Sequence, residues 1–293
     1  MAIIKTENLT KSYGKSRGII NLNLKVNEGE FFGFIGPNGA GKSTTIRTLL
    51  GLISPTSGKA EIFGKDISSH KTEILSDIGY MPSEAVFYNR MKVKEVIEFS
   101  AKMRKKNCSA ESEKLCERLA LDTGKRIEEL SLGNRKKVSI VCAVQHKPRL
   151  CILDEPTSGL DPLMQKEFFD ILKELNSEGT TIFLSSHVLS EIQKNCSRTA
   201  IIKDGRIIAT DSVENLSRTN AKRVTIHGIN SLPENLNAKS VEKTSDYISF
   251  LYSDDIKKLL ETASRLPVND ITITEPSLEE IFMHYYEKDG AEI

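Results

Sequence analysis

Residues 31–44 read FFGFIGPNGAGKST. FFGFI is an apolar run that stops at a glycine. KSTTIRTLLGLI follows at once, with Ile46, Leu49, Leu50 and Ile53 recurring at helical spacing. The order is therefore strand, loop, helix. Within the loop, Gly36, Pro37, Asn38, Gly39, Ala40, Gly41, Lys42 and Ser43, with Thr44 behind them, fit GxxxxGK[ST] in the strand-to-helix context that turns the pattern into chemistry. The glycines let backbone N–H groups curl around phosphates with no Cβ in the way, and a helix N-terminus adds partial positive charge. Lys42 is expected to reach the outer phosphates and the Ser43 hydroxyl to hold Mg²⁺.

Outward from this loop, apolar strands alternate with helices. LCILDEP (150–156) and TTIFLSSH (180–187) read as short buried strands, separated by the amphipathic QKEFFDILKELNSEG, which Gly179 closes. Such alternation argues for an α/β core with a largely parallel sheet. RTAIIKDGRIIATD (198–211) instead places two apolar runs around Asp204-Gly205, a hairpin signal. Between residues 85 and 145 the strand signal lapses and helical patterning such as VKEVIEFSAKMRKK takes over. After about residue 217 the chain turns polar, and then strand-like KRVTIHG, YISFLYS and NDITITE alternate with helix-like DDIKKLLETASRL and SLEEIFMHYYEK. The expected domains are 1–216, with a helical region at about 80–145, and a small α+β unit over 217–293. Ser277 as N-cap with Glu280 forms a capping box, which is a structural reason for those two residues.

Composition limits the partners. With 293 residues, 39% hydrophobic and 28% charged, the chain can bury a full core. A net charge of +1 offers no electrostatic reason to bind nucleic acid. No stretch approaches the ~18 apolar residues of a membrane span, and MAIIKTENLTKSYG lacks the pattern of a secretory signal, so the cytosol is the expected location. The cysteines at 108, 116, 142, 151 and 196 show no CxxC spacing and are expected to be reduced structural thiols.

Two carboxylates, Asp154 and Glu155, stand where the strand LCILDEP ends. Asp154 suits the Mg²⁺ shell, and Glu155 suits a base that polarises the attacking water. A kinase, a GTPase or a motor ATPase all remain open on these residues, although no NKxD guanine-reading motif occurs. A second phosphate-shaped turn, LSLGNRKK at 130–137, follows the first by some distance along the chain.

The order of the motifs resembles the ATP-binding cassette (ABC) family. The phosphate loop comes first, then LSLGNRKK, LCILDEP, SGLD at 158–161, and a lone His187 after a strand. The resemblance covers residues 1 to about 215. It implies that Ser131, Leu132, Gly133 and Asn134 belong to the signature loop, that Asp161 closes the D-loop, that His187 contacts the γ-phosphate and that Tyr13 stacks on adenine. It also implies that ATP lies between two cassettes, the phosphate loop of one facing the signature loop of the other, so one chain carries both halves of a site that it cannot close alone. Arg135, Lys136 and Lys137 are expected on a solvated helix face. Where the family pattern has a glutamine, at the hinge joining the core to the helical region, this chain has Ser83 beside Glu84. The serine is expected to act through an extra water, or Glu84 to swing in. The C-terminal addition is similar to that of ATPase subunits of bacterial drug and peptide-antibiotic exporters, whose permeases are of the ABC-2 type. The resemblance thus implies an exporter subunit that uses ATP and Mg²⁺, pairs with a second ATPase chain, expected to be its own copy, and meets the inner face of the cell membrane through a separate permease. A groove in the region of residues 80–105, with Phe87 and Tyr88 as contacts, would receive a permease helix. The rival reading is a soluble regulatory ATPase that switches a non-membrane partner.

Overall fold

The computed structural model describes residues 1–14, 16–217, 222–229, 231–233 and 236–274. Contacts divide the chain into two compact units, Met1–Asp211 and Ser212–Ile293. Each is described by itself.

The first unit holds two sheets. One is antiparallel and joins β1 (Ala2–Tyr13), β2 (Ser16–Leu22), β3 (Lys25–Asn27), β5 (Ser57–Ile62) and β6 (Lys65–Asp66). The other runs in the order β11-β10-β4-β9-β8-β7. Its members are β4 (Phe31–Ile35), β7 (Ile78–Met81), β8 (Leu150–Asp154), β9 (Thr181–Ser186), β10 (Arg198–Lys203) and β11 (Arg206–Ser212). The pairings from β10 through β4, β9 and β8 to β7 are all parallel. Every residue of β4, β8 and β9 is buried, as strands covered on both faces require. Phe183 of β9 stacks on Phe32 at 5.9 Å and leans on Phe34 at 5.4 Å, so the strand that feeds the phosphate loop is fixed by its neighbour. Asp204 (φ 46°) and Gly205 (φ 77°) make the left-handed turn from β10 to β11.

Helix α1 (Lys42–Leu49) leaves the loop after β4, and the short α2 (Lys71–Ser76) precedes β7. Helices α3 (Val93–Met103), α4 (Ser109–Arg118) and α5 (Leu132–Val144) occupy the stretch between β7 and β8. Arg118 fastens α4 to α6 (Pro162–Ser177) through Glu167 at 2.8 Å and Glu174 at 2.5 Å. Helix α6 starts at the Asp161 N-cap with Pro162 in its first turn, where a missing N–H costs nothing. Helix α7 (Leu189–Asn195) leads from β9 to β10. All five cysteines are free thiols. Burial pushes Cys116 and Cys142 up to about 11 and Cys151 up to about 12, which keeps them protonated and unreactive near neutral pH.

The second unit begins with α8 (Val213–Ser217). Its antiparallel sheet runs β13-β14-β12-β15, with β12 (Lys222–His227), β13 (Ala238–Lys243), β14 (Tyr247–Tyr252) and β15 (Asp270–Thr274). Leu259 of α9 (Ile256–Ala263) joins a core with Val224, Ile226, Ile248 and Phe250. The expected helix SLEEIFMHYYEK, with Ser277 and Glu280, lies outside the described residues.

Candidate functional site

The loop after β4 has little freedom. A Cβ on Gly36 would stand 2.4 Å from the Ile202 carbonyl of β10, so no side chain fits there. Gly41, at φ 110°, is the N-cap of α1, and Ser43 and Thr44 follow half-buried in its first turn. Pro37, Asn38 and Gly39 are exposed at the loop tip, and Ala40 is buried. Lys42 folds back over the loop. It is 4% exposed, and its Nζ donates to the carbonyls of Gly36 (2.6 Å) and Pro37 (3.2 Å) and meets Glu155 Oε1 at 3.1 Å.

The carboxylates arrive at the end of β8, the parallel neighbour of β9. Asp154 is 1% exposed, and its Oδ1 accepts from the Ser185 hydroxyl at 2.7 Å. Glu155 is turned into the left-handed region at φ 48°, which costs a non-glycine residue about 1–2 kcal/mol. Its N–H donates to the Ser185 carbonyl at 3.1 Å and hydroxyl at 3.3 Å, which holds the turn. His187 Nδ1 stands 3.3 Å from Glu155 Oε2. Each carboxylate oxygen of Glu155 thus has its own partner. Burial pushes the Glu155 carboxyl up, but the hydrogen bond and charge of Lys42, together with His187, outweigh it and hold the group below the usual carboxylate range.

Lys42, Glu155 and His187 are therefore brought together, and Asp154 is linked to them through Ser185. Other residues of interest stand elsewhere. Tyr13 ends β1, is 45% exposed, and has the Lys11 ammonium 5.3 Å from its ring centroid. Ser131 is the N-cap of α5, accepting from the Asn134 N–H at 3.3 Å, with Leu132 60% exposed. Asp161 caps α6 through the N–H groups of Leu163 and Met164. A Cβ on Gly133 would stand 3.2 Å from the Gly159 carbonyl, so the 131–134 turn rests on the segment that leads to Asp161. Among the described residues, no hydrogen bond or ion pair joins 131–134 to 36–44. The Ser83 carbonyl, not its side chain, makes the contact seen at that hinge, and Glu84 is exposed.

One expectation is corrected. Lys136 does not lie on a solvated face: it is 2% exposed, and its Nζ donates to the Ser83 carbonyl at 2.5 Å and the Glu155 carbonyl at 3.5 Å. Burial lowers its pKa, against the charges of Asp154, Glu155 and Glu84. Its spacing to Ile140 and Ala143, both buried on α5, was the available signal: a lysine at i, with apolar residues at i+4 and i+7, sits on the inner stripe. Ser185 is not legible in the sequence, because a serine in LSSH carries no motif of its own.

Ser43 and Asp154 offer a hydroxyl and a carboxylate, hard oxygen donors of the kind Mg²⁺ takes together with phosphate oxygens. Among the described residues no group of three or more His, Cys, Asp or Glu could cage a metal. The donor set therefore fits an ion that comes with a nucleotide.

Residues 19–158 match the family model described as ABC transporter. The bacitracin transport ATP-binding protein BcrA of Bacillus licheniformis is 37% identical, over 96% of this chain and 96% of that protein. A solved ATP-binding subunit of an ABC transporter superposes with a TM-score of 0.69 at 29% identity, over 74% of this chain and 92% of the other. A dimeric post-hydrolysis structure of the cassette MJ0796, bound to ADP and Pi, gives 0.63 at 25% identity, over 72% and 98%.

Proposed function

The chain belongs to the ABC transporter family as an ATP-binding, ATP-hydrolysing subunit, and from that premise we propose that it drives an exporter through a separate ABC-2 type permease, moving a drug, a peptide antibiotic or a lipid-like cargo. The observation that carries the reading is the Lys42–Glu155–His187 constellation at the ends of β4, β8 and β9. The similarity to a bacitracin transport protein along nearly the whole chain supports the exporter class.

In this reading the loop 36–44 holds the phosphates and Lys42 gives up carbonyl contacts for phosphate oxygens. Ser43 and Asp154 hold Mg²⁺, which neutralises phosphate charge. Glu155 takes the proton of the attacking water and His187 fixes the carboxylate from its other side. Tyr13 stacks on the adenine. Ser131 and the Gly133 N–H act on the nucleotide of a second chain, and this accounts for two phosphate-shaped turns with no bond between them. ATP binding then favours the dimer, because a ligand shared between chains stabilises only the associated state.

Ser83→Gln is expected to leave turnover within a few fold, since the hinge is held through the backbone carbonyl of residue 83. A steady-state ATPase assay with a large loss would show instead that the hydroxyl is required.

No helix among the described residues is long and apolar enough to cross a membrane, so this reading places the chain at the inner face of the membrane through its permease. Between β7 and α3, Val86 and Tyr88 are exposed, and Phe99 and Met103 of α3 join them around one groove with the half-buried Phe87. Exposed apolar side chains clustered in this way suit an amphipathic helix of the permease. Phe99→Glu is expected to reduce co-purification with the permease while leaving basal ATPase intact; unchanged co-purification would remove the groove from the interface. The deciding experiment is purification of the tagged chain from its host's detergent-solubilised membranes. A multi-span protein in stoichiometric amount supports the exporter reading, whereas soluble partners alone with a fully active ATPase overturn it.

A further inference from the structure

Glu155 lies between two buried ammonium groups. Lys42 and Lys136 are the only buried lysines among the described residues. The first meets the Glu155 carboxylate, and the second reaches its backbone carbonyl. A methionine could fill the space of the Lys136 stem, so packing alone gives no reason for a cation there, and burying one is costly unless it is used. What the ammonium does is join three segments: α5, which begins at the 131–134 turn; the hinge at Ser83 that leads from β7 to the helical region; and the end of β8, where Glu155 is held at φ 48°.

We propose that Lys136 is a positioning residue for ATP hydrolysis, fastening α5 and the Ser83 hinge to the backbone of Glu155 so that its carboxylate keeps its place between Lys42 and His187. The proposal rests on the reading of Glu155 as the group that polarises water. Lys136 touches no reacting atom in it. A single cation holds the carbonyls of residues 83 and 155 at once, so a shift of α5 or of the hinge is transmitted to the carboxylate. The signature turn and the hydrolytic carboxylate of one chain are therefore mechanically joined even though they serve different nucleotides. The hinge does not need a long side chain at 83, because the long side chain comes from α5 and meets the backbone of that residue.

The test uses the full chain with Lys136→Met, which keeps the stem and removes the donors, and Lys136→Gln, which keeps a neutral donor one atom shorter. Steady-state turnover, the Kd of a fluorescent ATP analogue and thermal melting are measured for both, with Glu155→Gln alongside. Lys136→Met is expected to lower kcat by about 100-fold, the scale of a small misplacement of a catalytic group. Its Kd should stay within a few fold and its melting temperature should not fall, because an apolar replacement removes a desolvated charge. Lys136→Gln should recover part of the lost kcat with the same Kd. Wild-type kcat in either folded variant overturns the proposal, and so does a kcat that falls only in step with melting temperature in both. If Lys136→Met does not fold, the kcat of Lys136→Gln at unchanged Kd decides alone. An active Glu155→Gln chain overturns the underlying reading of Glu155. An inactive Glu155→Gln with a fully active Lys136→Met overturns only the role of Lys136.

Discussion

Glu155→Gln is expected to bring ATP turnover down by about 10²–10⁴-fold, the range that general-base catalysis supplies, while nucleotide binding persists. The substitution keeps the shape of the side chain and removes its charge and basicity. Lys42 at 3.1 Å and His187 at 3.3 Å then face an amide, one atom of which can only donate. The phosphate-binding donors belong to the backbone of 36–44, to Lys42 and to Ser43, and none of them is altered. The bound nucleotide is therefore not consumed, and the associated state should accumulate: light scattering in saturating Mg-ATP should report twice the monomer mass, and removal of nucleotide should return the monomer. A turnover near wild type would remove Glu155 from the role of base. A monomer that binds nucleotide normally would remove ATP-driven association from the isolated subunit.

The run FFGFIG and the loop behind it were readable because a fully buried parallel strand is apolar at every position, and because phosphate binding leaves few choices of residue. The Asp204-Gly205 turn was readable for a similar reason, since left-handed angles at two successive positions favour few residues. β1 was harder. Its register against β2 shifts between Leu9 and Lys11 and again between Lys11 and Tyr13, and Asn8 sits at φ 48°, so the inside-outside alternation is broken along its length. β13, AKSVEK, has five exposed residues and a shift between Lys239 and Glu242, and it is held by backbone pairing at a sheet edge rather than by an apolar face. Lys136 reads as solvated only when charge is weighed ahead of helical phase. A lysine between an arginine and a lysine invites a solvated reading, whereas its spacing to Ile140 places it inward.

The second large effect concerns the two-chain site. Lys42→Met removes the ammonium over the phosphate loop, and Gly133→Asp puts a carboxylate at the N-terminal turn of α5, where the reading places the partner's γ-phosphate. Each variant alone is expected to fall to background turnover, Lys42→Met through lost binding and Gly133→Asp through repulsion between like charges. The fold should survive Gly133→Asp. An acidic residue suits the first turn of a helix, and the new Cβ asks the Gly159 carbonyl, 3.2 Å away, to yield only slightly. Mixed in equal amounts, the two inert proteins should regain activity. A mixed dimer has one site with an intact loop from the Gly133→Asp chain and an intact signature turn from the Lys42→Met chain. With random pairing and independent sites, recovery should reach about a quarter of the wild-type rate, because symmetric pairing puts one intact site in half of the dimers. If each site lay within one chain, neither protein could repair the other, and the mixture would stay at background even with mixed dimers demonstrated by differential tags. That result would leave LSLGNRKK without a nucleotide to serve, and the absence of any bond between 131–134 and 36–44 in the described chain would then need another explanation. Recovery would show that the two phosphate-shaped turns of this sequence are the two halves of one site, joined only when a second copy supplies the other half.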